Sequence, residues 1–197
     1  MTERLPAVDP SAMTDAQQDL YRRFTSGQRA APGTDFSLVD GAGRLQGPPA
    51  VWLLDAGLGS ALEQLGAAIR FRSSLPARAR EIAILVVAHR RASPFELHAH
   101  TRAGRAAGLN DDDLAALADR RPPRLGDDVE RAVHGAVEAL ADRGTLDDAE
   151  FRSAVGSLGL HGLFELTVLV GWYEMLATQL AVFDVRPPGT GSAEDRP

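Results

Sequence analysis

Apolar residues recur along this chain at steps of three and four, and no stretch shows the alternation of a half-buried strand. Thr14, followed three residues later by Gln17, has the form of a capping box and opens an amphipathic helix carrying Leu20, Tyr21 and Phe24. Gly27 to Pro49 is rich in Gly, Pro and polar residues without a period; it reads as a long loop, of the kind that closes over a site or reaches a neighbour. A second helix is predicted over 58–71, with Leu58, Leu62, Leu65 and Ile69 in one stripe. Pro76 suits the first turn of a third, which runs through Glu81 and the unbroken apolar segment Ile82–Ala88 to about His89. Ser93, Pro94 and Glu96 read as a cap, a first helical residue and a capping-box acid, and the helix they open should stop near Gly108. Asn110 caps a short acidic helix over 111–118, and Pro122 and Pro123 then break the chain. Amphipathic helices follow over 127–142 and 148–157; Gly156 and Gly159 separate the latter from a long apolar helix over 160–183. From Pro187 onward the chain is Pro, Gly and charge, read as a disordered tail over 187–197. The pattern predicts an all-α fold in a single domain over 1–186.

Composition narrows what such a domain can do. With 197 residues, 44% of them hydrophobic and 24% charged, the chain can bury one core of ordinary size and stay in solution. A net charge of −6 argues against sequence-independent binding of nucleic acid, which needs Lys and Arg clustered against phosphates. There is no cysteine, which excludes thiol redox chemistry, a cysteine nucleophile, a zinc–thiolate site and an iron–sulfur cluster for this chain. Neither a phosphate-binding G-x-x-x-x-G-K-[ST] loop nor a G-x-S-x-G nucleophile elbow occurs. Residues 1–10 are polar, without the apolar segment of a signal peptide, so a cytoplasmic location is expected. Ile82–Ala88 is too short to cross a bilayer. The segment 160–183 is long enough, but His161, Glu165 and Glu174 make a membrane span expensive; it is expected to lie within protein or at a subunit interface.

The candidate chemistry lies between residues 70 and 100. Glu96 and His100 are four apart and share one face of their helix. A carboxylate beside an imidazole orients the ring and favours its charged form, an arrangement suited to general acid/base catalysis. A Glu that only caps its helix, next to a histidine satisfied elsewhere, has the same spacing, and the spacing leaves both readings open. His98 lies about 200° round the helix from His100, so a shared metal ion is not expected. Glu81, just ahead of the apolar run, is either a catalytic carboxylate or the partner of Arg78 or Arg80 at the helix's wet end. His161 and Glu165 form another four-apart pair, whose ordinary role is structural. Arg70, Arg72, Arg78 and Arg80 cluster round the turn between the second and third helices. They are either solvated cations near a helix C-terminus or a receptor for an anionic substrate.

Several blocks together resemble the carboxymuconolactone decarboxylase family, whose superfamily includes the alkyl hydroperoxidase AhpD. They are Ile69-Arg70-Phe71-Arg72-Ser73-Ser74-Leu75-Pro76, Arg80-Glu81-Ile82-Ala83-Ile84-Leu85-Val86-Val87-Ala88, Phe95-Glu96-Leu97-His98-Ala99-His100, Ala106-Ala107-Gly108-Leu109 and Leu169-Val170-Gly171-Trp172-Tyr173. The resemblance covers roughly 45–186 and implies an AhpD-like orthogonal helical domain, assembled as a homo-oligomer. In the thiol peroxidase branch a Glu, a Cys-x-x-Cys pair and a His act together. By spacing, Glu81 stands at the Glu, Ser93 at the first Cys, Glu96 at the second and His100 at the His. Both thiols are missing, so the resemblance is to the cysteine-free, decarboxylase-like branch, and thiol peroxidase activity is excluded. Leu97 stands where many relatives carry an aromatic residue, a departure that bears on pocket shape.

The resemblance implies a lyase or isomerase that needs no cofactor and acts on a small carboxylated or lactone-type metabolite. His100, charged with the help of Glu96, is the expected proton donor, with Glu81 orienting it or moving the proton. Arg70, Arg72, Arg78 and Ser93 are the expected substrate-binding residues. No metal, nucleic acid or membrane partner is expected. The alternative is a non-catalytic small-molecule-binding or assembly protein that keeps the fold and has lost the chemistry.

Overall fold

The computed structural model describes residues 4–26 and 38–188. A single 3-10 turn, Pro10–Ala12, precedes helices α1 (Asp15–Thr25), α2 (Pro48–Trp52), α3 (Ala56–Arg72), α4 (Ala77–Arg90), α5 (Pro94–Ala106), α6 (Asp111–Ala118), α7 (Asp128–Arg143) and α8 (Asp148–Val182). Among the described residues the sole β-type pairing is an antiparallel bridge between Val39 and Leu45. The fold is all-α, as the periodicity predicts.

Local chemistry sets most of the boundaries. Thr14 and Gln17 form the reciprocal cap of α1, Asn110 and Asp113 that of α6, and Asp127 caps α7. Gly108, at φ +99°, follows the end of α5 in a conformation an L side chain rarely adopts. Three boundaries differ from expectation. The predicted loop over 27–49 ends earlier: Pro48 and Pro49 fill the first turn of α2, where a missing N–H leaves no bond unmade. Its stretch 27–37, like the tail beyond 188, lies outside the described residues. Pro76 sits at the N-cap of α4, one position before the first helical residue. At α5, Ser93 makes no capping hydrogen bond, and the Glu96 carboxylate faces His100 instead of turning back to the helix start. The break foreseen near Gly156 and Gly159 is real: α8 is interrupted at Gly159, whose φ of 66° and ψ of 171° are not helical.

The chain divides into two compact units, Met1–Gln64 with Gln179–Pro197, and Leu65–Thr178. In the first, Phe24 packs on Trp52, whose Nε1 donates to Gln179 Oε1 at 3.0 Å, and Tyr21 donates to the Gly43 carbonyl at 2.8 Å. Gly59 has no room for a side chain there, since a Cβ would lie 2.6 Å from the Trp52 carbonyl oxygen.

The second unit is built round α4, which packs against α5, α6 and α7. Every residue from Glu81 to Ala88 is buried, so the unbroken apolar segment of α4 is the core of this unit. The apolar stripe of α3 behaves differently. Leu58 and Leu65 are exposed while Glu63 is buried, so spacing located the helix but not its buried face. Leu160 and Phe164 on α8 are also exposed, at 68% and 65%. By length and composition α8 could cross a membrane, and only 33% of its apolar window is buried.

Candidate active site

Glu81 enters the site from α4 and Glu96 and His100 from α5, one turn apart. His100 Nδ1 lies 2.8 Å from Glu81 Oε2, and its Nε2 lies 3.4 Å from Glu96 Oε2. The three side chains are nearly enclosed, at 12% exposure for His100, 9% for Glu81 and 5% for Glu96. Of the alternatives left by spacing, Glu81 pairs with His100 rather than Arg78, and Glu96 faces His100 rather than capping its helix.

The arrangement fixes where a proton can go. Burial pushes the Glu96 carboxyl above its ordinary value, against the pull of His100, and the charge of Glu81 pushes it further. With Nδ1–H donating to Glu81, the Nε2 side of the ring and Glu96 compete for one proton. Either a protonated Glu96 donates to a neutral ring, or a charged ring donates to the Glu96 carboxylate. Such a pair holds a transferable proton away from bulk water.

Tyr173 on α8 completes the cluster, and the sequence reading assigned it no role. Its ring stands perpendicular to that of His100, with centroids 5.0 Å apart. Burial holds the phenol pKa well above its usual value, Glu96 and Glu81 add to the effect, and Arg70 and Arg80 oppose it. The group is therefore a neutral hydrogen-bond donor. Arg80 is half-buried and makes no ion pair among the described residues. Its proximity to Tyr173 was invisible in sequence, where it was one of four cations at a turn.

The other expected binding residues scatter. Arg78 is tied down by Glu130, by Asp113 at 3.0 Å and by the carbonyls of Gly108 and Arg124. It is a structural clamp on the α6–α7 connection, and the structure does not bring it to the His100 cluster. Arg70 is exposed and lies over the Phe71 ring at 5.8 Å. Arg72, with Leu65, Ile69, Phe164 and Leu169, lines a half-open apolar cavity of about 250 Å³. Leu169 on its wall is one helical turn before Tyr173. Ser93 is buried and its Oγ has no hydrogen-bond partner. His161 is exposed, 4.0 Å from Glu165, which accepts from Ser74 N and Oγ and from Ser73 Oγ. That pair closes the α3–α4 turn. Among the described residues no group of three His, Asp or Glu side chains has the arrangement of a metal site.

No curated protein sequence matches the chain significantly. Among solved structures, one neighbour is a protein of unknown function from Agrobacterium tumefaciens, named for the antioxidant defence protein AhpD. It is 17% identical with a TM-score of 0.62, over 70% of this chain and 94% of that one. Another is the debrominase Bmp8, a Cys→Ala variant in complex with 2,3,4-tribromopyrrole, 12% identical with a TM-score of 0.69, over 96% of this chain and 93% of that one. At these identities the likeness shows the fold. Residues 56–139, which contain Glu81, Glu96 and His100, match the model of the carboxymuconolactone decarboxylase family.

Proposed function

We propose that this protein is a cofactor-independent lyase or isomerase acting on a small carboxylated or lactone-type metabolite by general acid/base chemistry. The observation that carries the reading is His100 held between two carboxyl groups, with Nδ1 2.8 Å from Glu81 and Nε2 facing Glu96. In a decarboxylation, the bond from carbon to the carboxylate breaks and carbon dioxide leaves. The electron pair passes into a conjugated carbonyl of the substrate as an enolate, and a proton is then added to carbon. The substrate supplies its own electron sink, so the residues need only stabilise the developing charge and deliver one proton. The Glu96–His100 pair holds that proton, and Glu81 keeps the ring aligned.

We also propose that the molecule works as a homo-oligomer in the cytoplasm, with the exposed apolar side chains Leu65, Leu160 and Phe164 covered by another copy.

The test is decarboxylation of carboxymuconolactone generated in situ, by wild type and by His100→Ala. Turnover that disappears in the variant, with the fold retained, supports the lyase reading. A wild type that turns over neither this compound nor related lactone acids, yet binds them with or without His100, would favour the non-catalytic alternative.

A further inference from the structure

Two other aromatic side chains among the described residues have their polar tips engaged. Tyr21 Oη donates to the Gly43 carbonyl at 2.8 Å and Trp52 Nε1 to Gln179 at 3.0 Å. Tyr173 is the exception among these. It is partly buried, packs against the α4 core, stands perpendicular to His100 at 5.0 Å, and its hydroxyl bonds to no described residue. A hydroxyl donor that no described residue occupies, beside a proton-carrying imidazole, is where a reaction that develops negative charge on oxygen needs one.

The surroundings select the kind of oxygen. Glu81 and Glu96 flank the cluster, so an anion would be repelled without a counter-charge. Arg80 supplies it: it acts electrostatically on Tyr173 and has no carboxylate partner among the described residues. Arg70 adds to it from the exposed end of α3. The hydroxyl itself stays protonated under ordinary conditions, so it donates rather than competes for charge.

We propose that Tyr173 is a further catalytic residue, whose hydroxyl donates to the substrate oxygen on which negative charge develops, with Arg80 as the neighbouring cation. The inference rests on the acid/base reading above and narrows it: the substrate is one whose reacting carbon is conjugated to a carbonyl, so that an enolate oxygen forms within reach of Tyr173 while His100 protonates carbon. Bonds and charges balance as in the decarboxylation already described; Tyr173 stays protonated throughout and transfers nothing.

The experiment titrates wild type and Tyr173→Phe with 4-nitrophenolate, a planar oxyanion whose visible absorption responds to hydrogen bonding. Its methyl ether, 4-nitroanisole, serves as the uncharged control. Wild type is expected to bind the phenolate at least about tenfold more tightly than Tyr173→Phe, while the ether binds both alike. On carboxymuconolactone the variant should lose kcat with little change in KM. Equal phenolate affinity in the two proteins, or no phenolate binding by wild type, would overturn the proposal. Should the variant lose its fold, wild type alone decides, since it must prefer phenolate to ether by the same factor. Absence of decarboxylase turnover, with phenolate binding that still depends on Tyr173, removes the reading of the reaction and leaves the oxyanion donor standing.

Discussion

His100 Nδ1 sits 2.8 Å from Glu81 Oε2, a contact that joins α5 to α4 across 19 positions of sequence. It fixes the face of the imidazole turned toward Glu96 and Tyr173. Replacing His100 by Ala removes the proton carrier and should lower kcat by about 10²- to 10⁴-fold. Glu81→Gln keeps a hydrogen-bonding group beside Nδ1 but removes its charge, so its loss should be smaller than that of His100→Ala. Turnover kinetics with circular dichroism on both variants checks the order; a larger loss in Glu81→Gln would assign Glu81 the direct role.

Glu96 makes stability depend on pH in a direction opposite to Asp113. Burial and Glu81 raise its folded value above the ordinary one. Between the unfolded value, about 4.3, and the raised folded value, the native state binds more protons than the unfolded state. Stability contributed by this group is thus complete below the unfolded value and falls as pH rises through that window. Asp113, lowered by hydrogen bonds from Arg124 N, Asn110 N and Arg78 against its burial, has the opposite sign at lower pH. Urea melts of wild type and Glu96→Gln from about pH 4 to about pH 8 isolate the effect by difference. The variant should gain on wild type as pH rises; parallel curves would mean that the Glu96 proton is no different in the unfolded chain.

Arg78 is predicted to act on stability, not on substrate. Its guanidinium holds Asp113, which is buried, and Glu130, and bonds two backbone carbonyls besides. Removing one member of a buried ionic group leaves the others uncompensated, so Arg78→Ala should cost about 3 kcal/mol or more. Denaturant midpoints measure the loss. Under conditions where the variant is still folded, KM should match wild type; a raised KM with an unshifted midpoint would return Arg78 to the substrate site.

These residues show what was legible in sequence. Most of the helices, the caps at Thr14 and Asn110 and the Gly159 break follow from local chemistry, which the sequence contains directly. The i, i+4 relation of Glu96 and His100 was legible for the same reason. Arg78 was not, because its carboxylate partners lie 35 and 52 residues away, and only the folded chain brings them to it. Tyr173 went unassigned because nothing in an apolar helix distinguishes a core aromatic from one beside an imidazole 73 positions earlier. The stripe on α3 was located correctly, yet periodicity cannot say whether an apolar face meets its own core or something else.

That last ambiguity is open to experiment through Phe164. A large aromatic residue at 65% exposure, with Leu160 at 68% on the same helix and Leu65 exposed on α3, is apolar surface that a monomer would leave in water. If a second copy covers it, a charge there has to be buried without a partner, which costs several kcal/mol at an interface. Phe164→Glu should therefore shift the protein from an oligomer to the mass of one chain in light scattering, with its helix content unchanged. The cavity beside it, which Phe164 lines, would open further, so KM should rise if substrate enters that way. A wild type that scatters as a single chain at every concentration would remove the assembly proposal. Capture of that same wild type by lipid vesicles would then identify a bilayer as what covers α8.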